Sequence, residues 1–215
     1  PVDDVLVYAS FSKGYKAGGY NLDGSALDAP CNPATGTAAQ QAACAAALAR
    51  PAETPGNARA ELADLQFAPE KVDAYEFGIK YNGRGFDVNI ALFDQYYSNY
   101  QLNTYNGVNF EVTNIQSCRD ALGGADSDAS AATGACPANR LTSGVRARGF
   151  ELEMFARPVR NLAFNAGLTY SDTYYRKNLV GTNGRALSPV LFQLPGSQVS
   201  NAPKYVITTG ASWTP

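Results

Sequence analysis

Glu151 and Glu153 stand two residues apart, a spacing that places two carboxylates on one face of a β-strand. A carboxylate pair is the working chemistry of glycoside hydrolysis, one group acting as acid and the other as nucleophile or base. The rest of the sequence offers that pair no support. The chain contains no histidine, which excludes a Ser-His-Asp triad, a histidine base and a metal site built on imidazole. Pairing with Lys or Arg on neighbouring strands accounts for Glu151 and Glu153 better, as it does for Glu76 and Lys80. The segment SKGYKAGG (12–19) hints at a phosphate loop, but it lacks the GxxxxGK[ST] spacing and no helix follows directly. Gly14, Gly18 and Gly19 suit a strand kink and a loop exit. No catalytic residue, metal site or cofactor is expected, and the chain does not read as an enzyme.

The four cysteines form two local pairs, Cys31 with Cys44 and Cys118 with Cys136. Neither pair has CxxC spacing and no histidine can complete a zinc set, so two loop-closing disulfides are expected. They imply an oxidising compartment. The alternative is four buried thiols behaving as small hydrophobes, which fits poorly with two segments that read as exposed loops.

Composition narrows the partners. The net charge of −2 lacks the basic excess that nucleic acid requires. Hydrophobic residues make up 45% and charged residues only 17%, which is little ionic surface for a soluble protein of 215 residues. No run of about 18 apolar residues marks a membrane helix. No signal-peptide pattern opens the chain, which is compatible with an exported protein that has been processed or truncated.

The elements that must position any site alternate with period two. In GFELEMFARPVRNLAFNAGLTY (149–170), Phe150, Leu152 and Met154 share a face opposite Glu151 and Glu153. After a short basic turn, Leu162, Phe164, Ala166 and Leu168 share one opposite Asn165, Gly167 and Thr169. Similar strands are expected at 4–16, 71–81, 86 to about 102, and 205–213, with extended chain at 110–116. An Ala-rich helix is expected over 37–50, between Pro33 and Pro51. Tight connections at 82–85 and 157–161 alternate with long ones at 18–68, 117–143 and 177–203. Loops beyond about 15 residues are rare in compact domains. Short turns at one end and long loops at the other are the pattern of an outer-membrane barrel.

Period two alone does not decide which face is wet, because a soluble sandwich alternates in the same way. Two features favour the barrel. The apolar faces carry few charges across their middles, and Tyr15, Tyr96, Tyr97, Tyr100, Tyr170, Tyr174 and Tyr175 gather near the loop-side strand ends, as an aromatic girdle would.

Five segments then resemble, in order, the TonB-dependent outer-membrane receptors: YASFSKGYKAGGYN (8–21), FAPEKVDAYEFGIK (67–80), NIALFDQYYSNYQ (89–101), RARGFELEM (146–154) and SNAPKY (200–205). The resemblance implies an all-β, antiparallel transmembrane barrel of which this chain supplies about six of a probable 22 strands. No plug-like sequence and no TonB box is recognisable, so a fragment of a larger receptor is expected. The family imports iron–siderophore complexes, vitamin B12, haem or oligosaccharides with energy relayed through TonB. An iron–siderophore is the expected small-molecule substrate. The long loops would lie outside a Gram-negative cell and the tight turns in the periplasm.

Continuing the parity of the third strand puts Tyr97, Asn99 and Gln101 inward, with Tyr105 in the adjoining loop, as candidate ligand contacts. Arg146 and Arg148 share the face of Phe150 at its loop end. There they would either meet lipopolysaccharide phosphates in bidentate fashion or be turned inward by a bulge near Gly149. Outer-membrane lipid, lipopolysaccharide and TonB are the expected partners. A passive porin-like barrel and a secreted disulfide-bonded sandwich remain the alternatives.

Overall fold

The computed structural model describes residues 4–24, 27–50, 57–105, 109–120 and 134–214. Pro51, expected to bound the Ala-rich helix, and residues 121–133 of the second cysteine loop lie outside the described residues. The chain divides into two compact units, one of Pro1–Tyr15, Glu70–Tyr100 and Ile115–Pro215, the other of Lys16–Pro69 and Gln101–Asn114.

The first unit is built on a six-stranded sheet. Its strands are β1 (Val5–Lys16), β2 (Glu70–Gly83), β3 (Phe86–Ser98), β4 (Val145–Val159), β5 (Leu162–Tyr175) and β6 (Tyr205–Trp213). They lie side by side in chain order, and β2 through β6 pair antiparallel. Five of the six exceed the 9–11 residues or so that cross a bilayer at a tilt, and β6 meets the lower figure. The sheet is open, with β1 and β6 as its edges.

Register carries the period-two pattern across the whole sheet. Ile79, Ile90, Leu152, Leu168 and Ile207 stand opposite one another on five successive strands. One residue along, Lys80, Asn89, Glu153, Gly167 and Thr208 form the adjacent row on the other face. A slip of one residue in any strand would exchange the two sets, so the alternation itself fixes the register. Tight turns join one end. Arg84 and Gly85 close the β2–β3 hairpin, with Gly85 at φ 79°, where a side chain would be strained. The β4–β5 turn is tighter than expected. The strands run on to Val159 and Leu162, with a register shift that leaves an extra residue beside Pro158. Proline lacks the N–H for an unbroken ladder and is accommodated at such a bulge.

Among the described residues, nothing covers the apolar face. Val7, Phe11, Leu92, Ile207 and Trp213 are between 52% and 72% exposed. In a sandwich these side chains would be the core; here they form a contiguous apolar surface of the kind that meets a membrane or a partner.

The buried core sits at the loop end. Ile115, Val145, Tyr175, Leu179 and Val180 are at most 2% exposed. The end of strand Phe110–Cys118 pairs there with Leu141–Ser143 and Leu179–Val180. Gly144 donates its N–H to Tyr97 O at 3.0 Å and accepts from Arg176 N at 2.9 Å, and a side chain there would strike the Ile115 carbonyl. The Cys118–Cys136 disulfide, Val180 and Leu141 pack beside this core. Three tyrosines of the expected girdle belong here: Tyr97, Tyr100 and Tyr175 meet edge to face at 6.3 and 6.0 Å. Tyr96, Tyr170 and Tyr174 keep the parity of the apolar face.

The second unit holds helix α1 (Ala38–Leu48). Thr37 and Gln40 form a capping box at its start, and Arg59 donates to the Leu48 carbonyl at 2.6 Å and to that of Arg50 at 3.1 Å at its end. The Cys31–Cys44 disulfide ties the helix to the preceding loop. The amide of Asn21 both donates to and accepts from the backbone of Val112, at 3.0 and 2.8 Å, and that of Asn114 does the same with Ala68. Such amides replace a missing strand partner for half-buried backbone groups.

Candidate functional site

Charged side chains collect where the apolar face of the sheet meets the loop end. Arg146 and Arg148 keep the face of Phe150 and Leu152, because the ladders on both sides of β4 run through Gly149 without a shift. The bulge that would have turned them to the other face is not there. Gly149 instead accommodates its neighbours, since a Cβ at this position would strike the Tyr170 carbonyl and the Phe93 ring.

The two arginines differ in how they are used. The Arg146 guanidinium makes a bidentate pair with Asp94, Nε to Oδ1 at 2.8 Å and Nη2 to Oδ2 at 2.6 Å, and lies 5.0 Å over the Tyr96 ring. That fork geometry is a short charge-assisted pair. Arg148 meets Asp172 only at 3.6 Å, and Lys204 approaches the same carboxylate at 3.4 Å. These are ion pairs, too long for close hydrogen bonds. Arg148, Asp172, Lys177, Gln198 and Lys204 line an open cleft of about 360 Å³ at this rim. Directly along the strands lies an apolar groove of about 210 Å³, lined by Leu152, Met154, Leu168 and Ile207. Asp172 faces Arg148 in the β4–β5 register, and Lys177 and Lys204 stand just past the end of β5 and just before β6, so no single local spacing announces the cluster.

The four ligand candidates do not share one environment. Tyr97 donates to Gln95 Oε1 at 2.6 Å and packs against Tyr100. Asn99 has φ 52° and ends β3, so the chain resumes as a separate strand, Tyr100–Tyr105. Asparagine tolerates this left-handed backbone better than other residues with side chains. The unbroken parity from Tyr97 through Gln101 therefore does not hold. Gln101 belongs to the second unit, where its amide donates to the Ala17 and Ala68 carbonyls at 2.8 and 3.2 Å. Tyr105 packs on Phe110 at 5.3 Å and is 55% exposed.

Near the second disulfide, Arg140 grips Asp120 with two hydrogen bonds of 3.0 and 2.8 Å. The guanidinium holds the Asp120 carboxyl below its ordinary range. The clamp is thus fully charged at neutral pH and is lost only as pH falls through that lowered value. On the polar face of the sheet, Tyr8 donates to Glu76 at 2.6 Å and Glu153 accepts from Asn89 at 3.3 Å. Glu151 and Glu153 keep the parity of this face, opposite Ala91 and Asn89. No cluster of His, Cys, Asp or Glu suited to a metal ion occurs among the described residues.

Comparison with known proteins agrees with this architecture. Sequence comparison with curated proteins yields no match. Among solved structures, the ferric yersiniabactin uptake receptor FyuA of Yersinia pestis superposes with a TM-score of 0.52 at 18% identity, over 98% of this chain and 21% of that one. The alcaligin outer-membrane receptor FauA of Bordetella pertussis gives 0.46 at 14% identity, over 98% and 24%. The chain thus spans between a fifth and a quarter of the length of these receptors. The profile described as TonB dependent receptor-like, beta-barrel matches residues 1–215. The chain belongs to that family of outer-membrane receptor and transport barrels, not to a family of enzymes.

Proposed function

We propose that this chain forms part of the wall and outer loops of a TonB-dependent receptor that imports a scarce nutrient, an iron–siderophore complex. The supporting observation is the six-stranded meander with an uncovered apolar face, tight turns at one end and a buried, disulfide-tied core at the other. The apolar row Ile79, Ile90, Leu152, Leu168 and Ile207 meets lipid, and the row of Lys80, Asn89, Glu153 and Thr208 faces the lumen. The long loops, each disulfide within one of them, lie outside the cell, where an oxidising environment keeps the bonds formed. FyuA, whose name gives ferric yersiniabactin as its cargo, supports an iron chelate as the substrate class. The residues of this chain bind and position; transport energy comes through TonB contacts elsewhere in the receptor.

Cells lacking the full-length receptor should lose growth on one ferric chelate under iron limitation, and should regain it on complementation. Undiminished growth on every ferric chelate tested, with loss of growth on a different nutrient, would overturn the iron assignment and leave the receptor assignment intact.

A further inference from the structure

We propose that the rim of β4, β5 and β6 is a discrete site for one phosphorylated acyl lipid of the outer leaflet, with its phosphate held by Arg148, Lys204 and Lys177. The proposal rests on the lipid-facing reading of the apolar surface. Three features line up along the strand direction. The groove floored by Leu152, Leu168 and Ile207 is almost wholly apolar and suits an acyl chain. Above it, Phe150, Tyr170 and Tyr205 form a shelf of rings with centroids 5.8 and 5.1 Å apart, on three neighbouring strands. Aromatic side chains of this kind sit at the level of lipid headgroups. The basic cleft follows above the shelf.

Charge selects the headgroup. Four cations, Arg146, Arg148, Lys177 and Lys204, stand near two carboxylates, Asp94 and Asp172, which leaves an excess of two positive charges. Arg146 and Asp94 satisfy each other at 2.6 Å. The excess therefore resides on the other three cations, around Asp172. The side chains of Arg148 and Lys204 remain 53% and 47% exposed and make only long contacts with Asp172. A phosphate with its oxygens in this cleft would receive the short charge-assisted bonds that Asp172 alone does not draw. A zwitterionic headgroup would bring a cation of its own and lose most of that gain. Arg146 has no part in the site, because binding phosphate would break its pair with Asp94.

The test uses the full-length receptor, stripped of bound lipid and placed in phosphatidylcholine nanodiscs, with bisphosphorylated lipid A as the probe. R148Q/K204Q should weaken lipid A binding about tenfold or more, and dephosphorylated lipid A should show the same loss against the parent protein. K177Q, outside the sheet, should weaken it about threefold and decides the matter if the double variant does not fold. Unchanged affinity in the variants overturns the proposal. So does competition by millimolar inorganic phosphate as effective as the lipid itself, which marks a free-anion site. A spin label at Ile207→Cys separates the two levels: fast relaxation by oxygen together with unchanged lipid A affinity removes the headgroup site and leaves the lipid-facing wall standing.

Discussion

Replacing Gly78 by valine should destabilise the barrel wall by about 2 kcal/mol, although valine is the better strand former. Gly78 lies on the polar face of β2 beside the Tyr8 ring of β1, and a Cβ there would overlap the ring. Tyr8 also donates to Glu76 at 2.6 Å, and the Lys80 ammonium stands 5.6 Å from its centroid. Valine must displace the ring and both of those contacts. Strand propensity offers at most about 1 kcal/mol in return, while overpacking typically costs about 1–3 kcal/mol, so the steric term wins. Urea unfolding of the full-length receptor, followed by the gel mobility of the folded barrel, reads the effect. In a Tyr8→Ala background the same substitution should be nearly neutral. An equal loss in both backgrounds would place the cost in the backbone and not in the ring.

Removal of the Cys118–Cys136 disulfide is the second large effect. Closing a loop of this size stabilises by about 3 kcal/mol, by the chain-entropy account. The bond is buried against Val180 and Leu141, so paired Ser substitutions also place hydroxyls in an apolar cluster. Amide hydrogen-exchange protection at 116–118 and 179–180 should fall by about two orders of magnitude. The β3–β4 ladder below Gly149 should keep its protection. If protection at 179–180 does not change, the loop-end core does not depend on the disulfide.

The sheet was legible in the sequence because both of its signals are local. Period two is visible over four residues, and the turns at 82–85 and near 160 interrupt it at the same end. The loop-end core was not legible, because it is made of pieces too short to show a period: Leu141–Ser143 has three residues and Leu179–Val180 two. Their strand partner, Phe110–Cys118, reads as extended chain but gives no sign that it leaves the wall. Asn99 shows how a parity argument fails. One asparagine with positive φ between Ser98 and Tyr100 ends the strand, so the alternation that places Tyr97 does not reach Gln101. Gly149 left two readings of Arg146 and Arg148 open. A glycine within a strand suggests a bulge, yet this one keeps an unbroken ladder and makes room for Phe93. The division of labour between Arg146 and Arg148 depends on Asp94 and Asp172, 52 and 24 residues away in sequence, and no local pattern reports such pairs.

Spin labels placed singly along two adjacent rows of the full-length receptor distinguish a lipid-facing apolar surface from a water-facing one. One row is Ile90, Leu152, Leu168 and Ile207, and the other is Asn89, Glu153, Gly167 and Thr208. Relaxation by membrane-dissolved oxygen is expected across the whole first row, and by a water-soluble nickel chelate across the second. Nickel access to the first row, or oxygen-dominated relaxation in the second, would contradict a wall whose apolar face meets lipid.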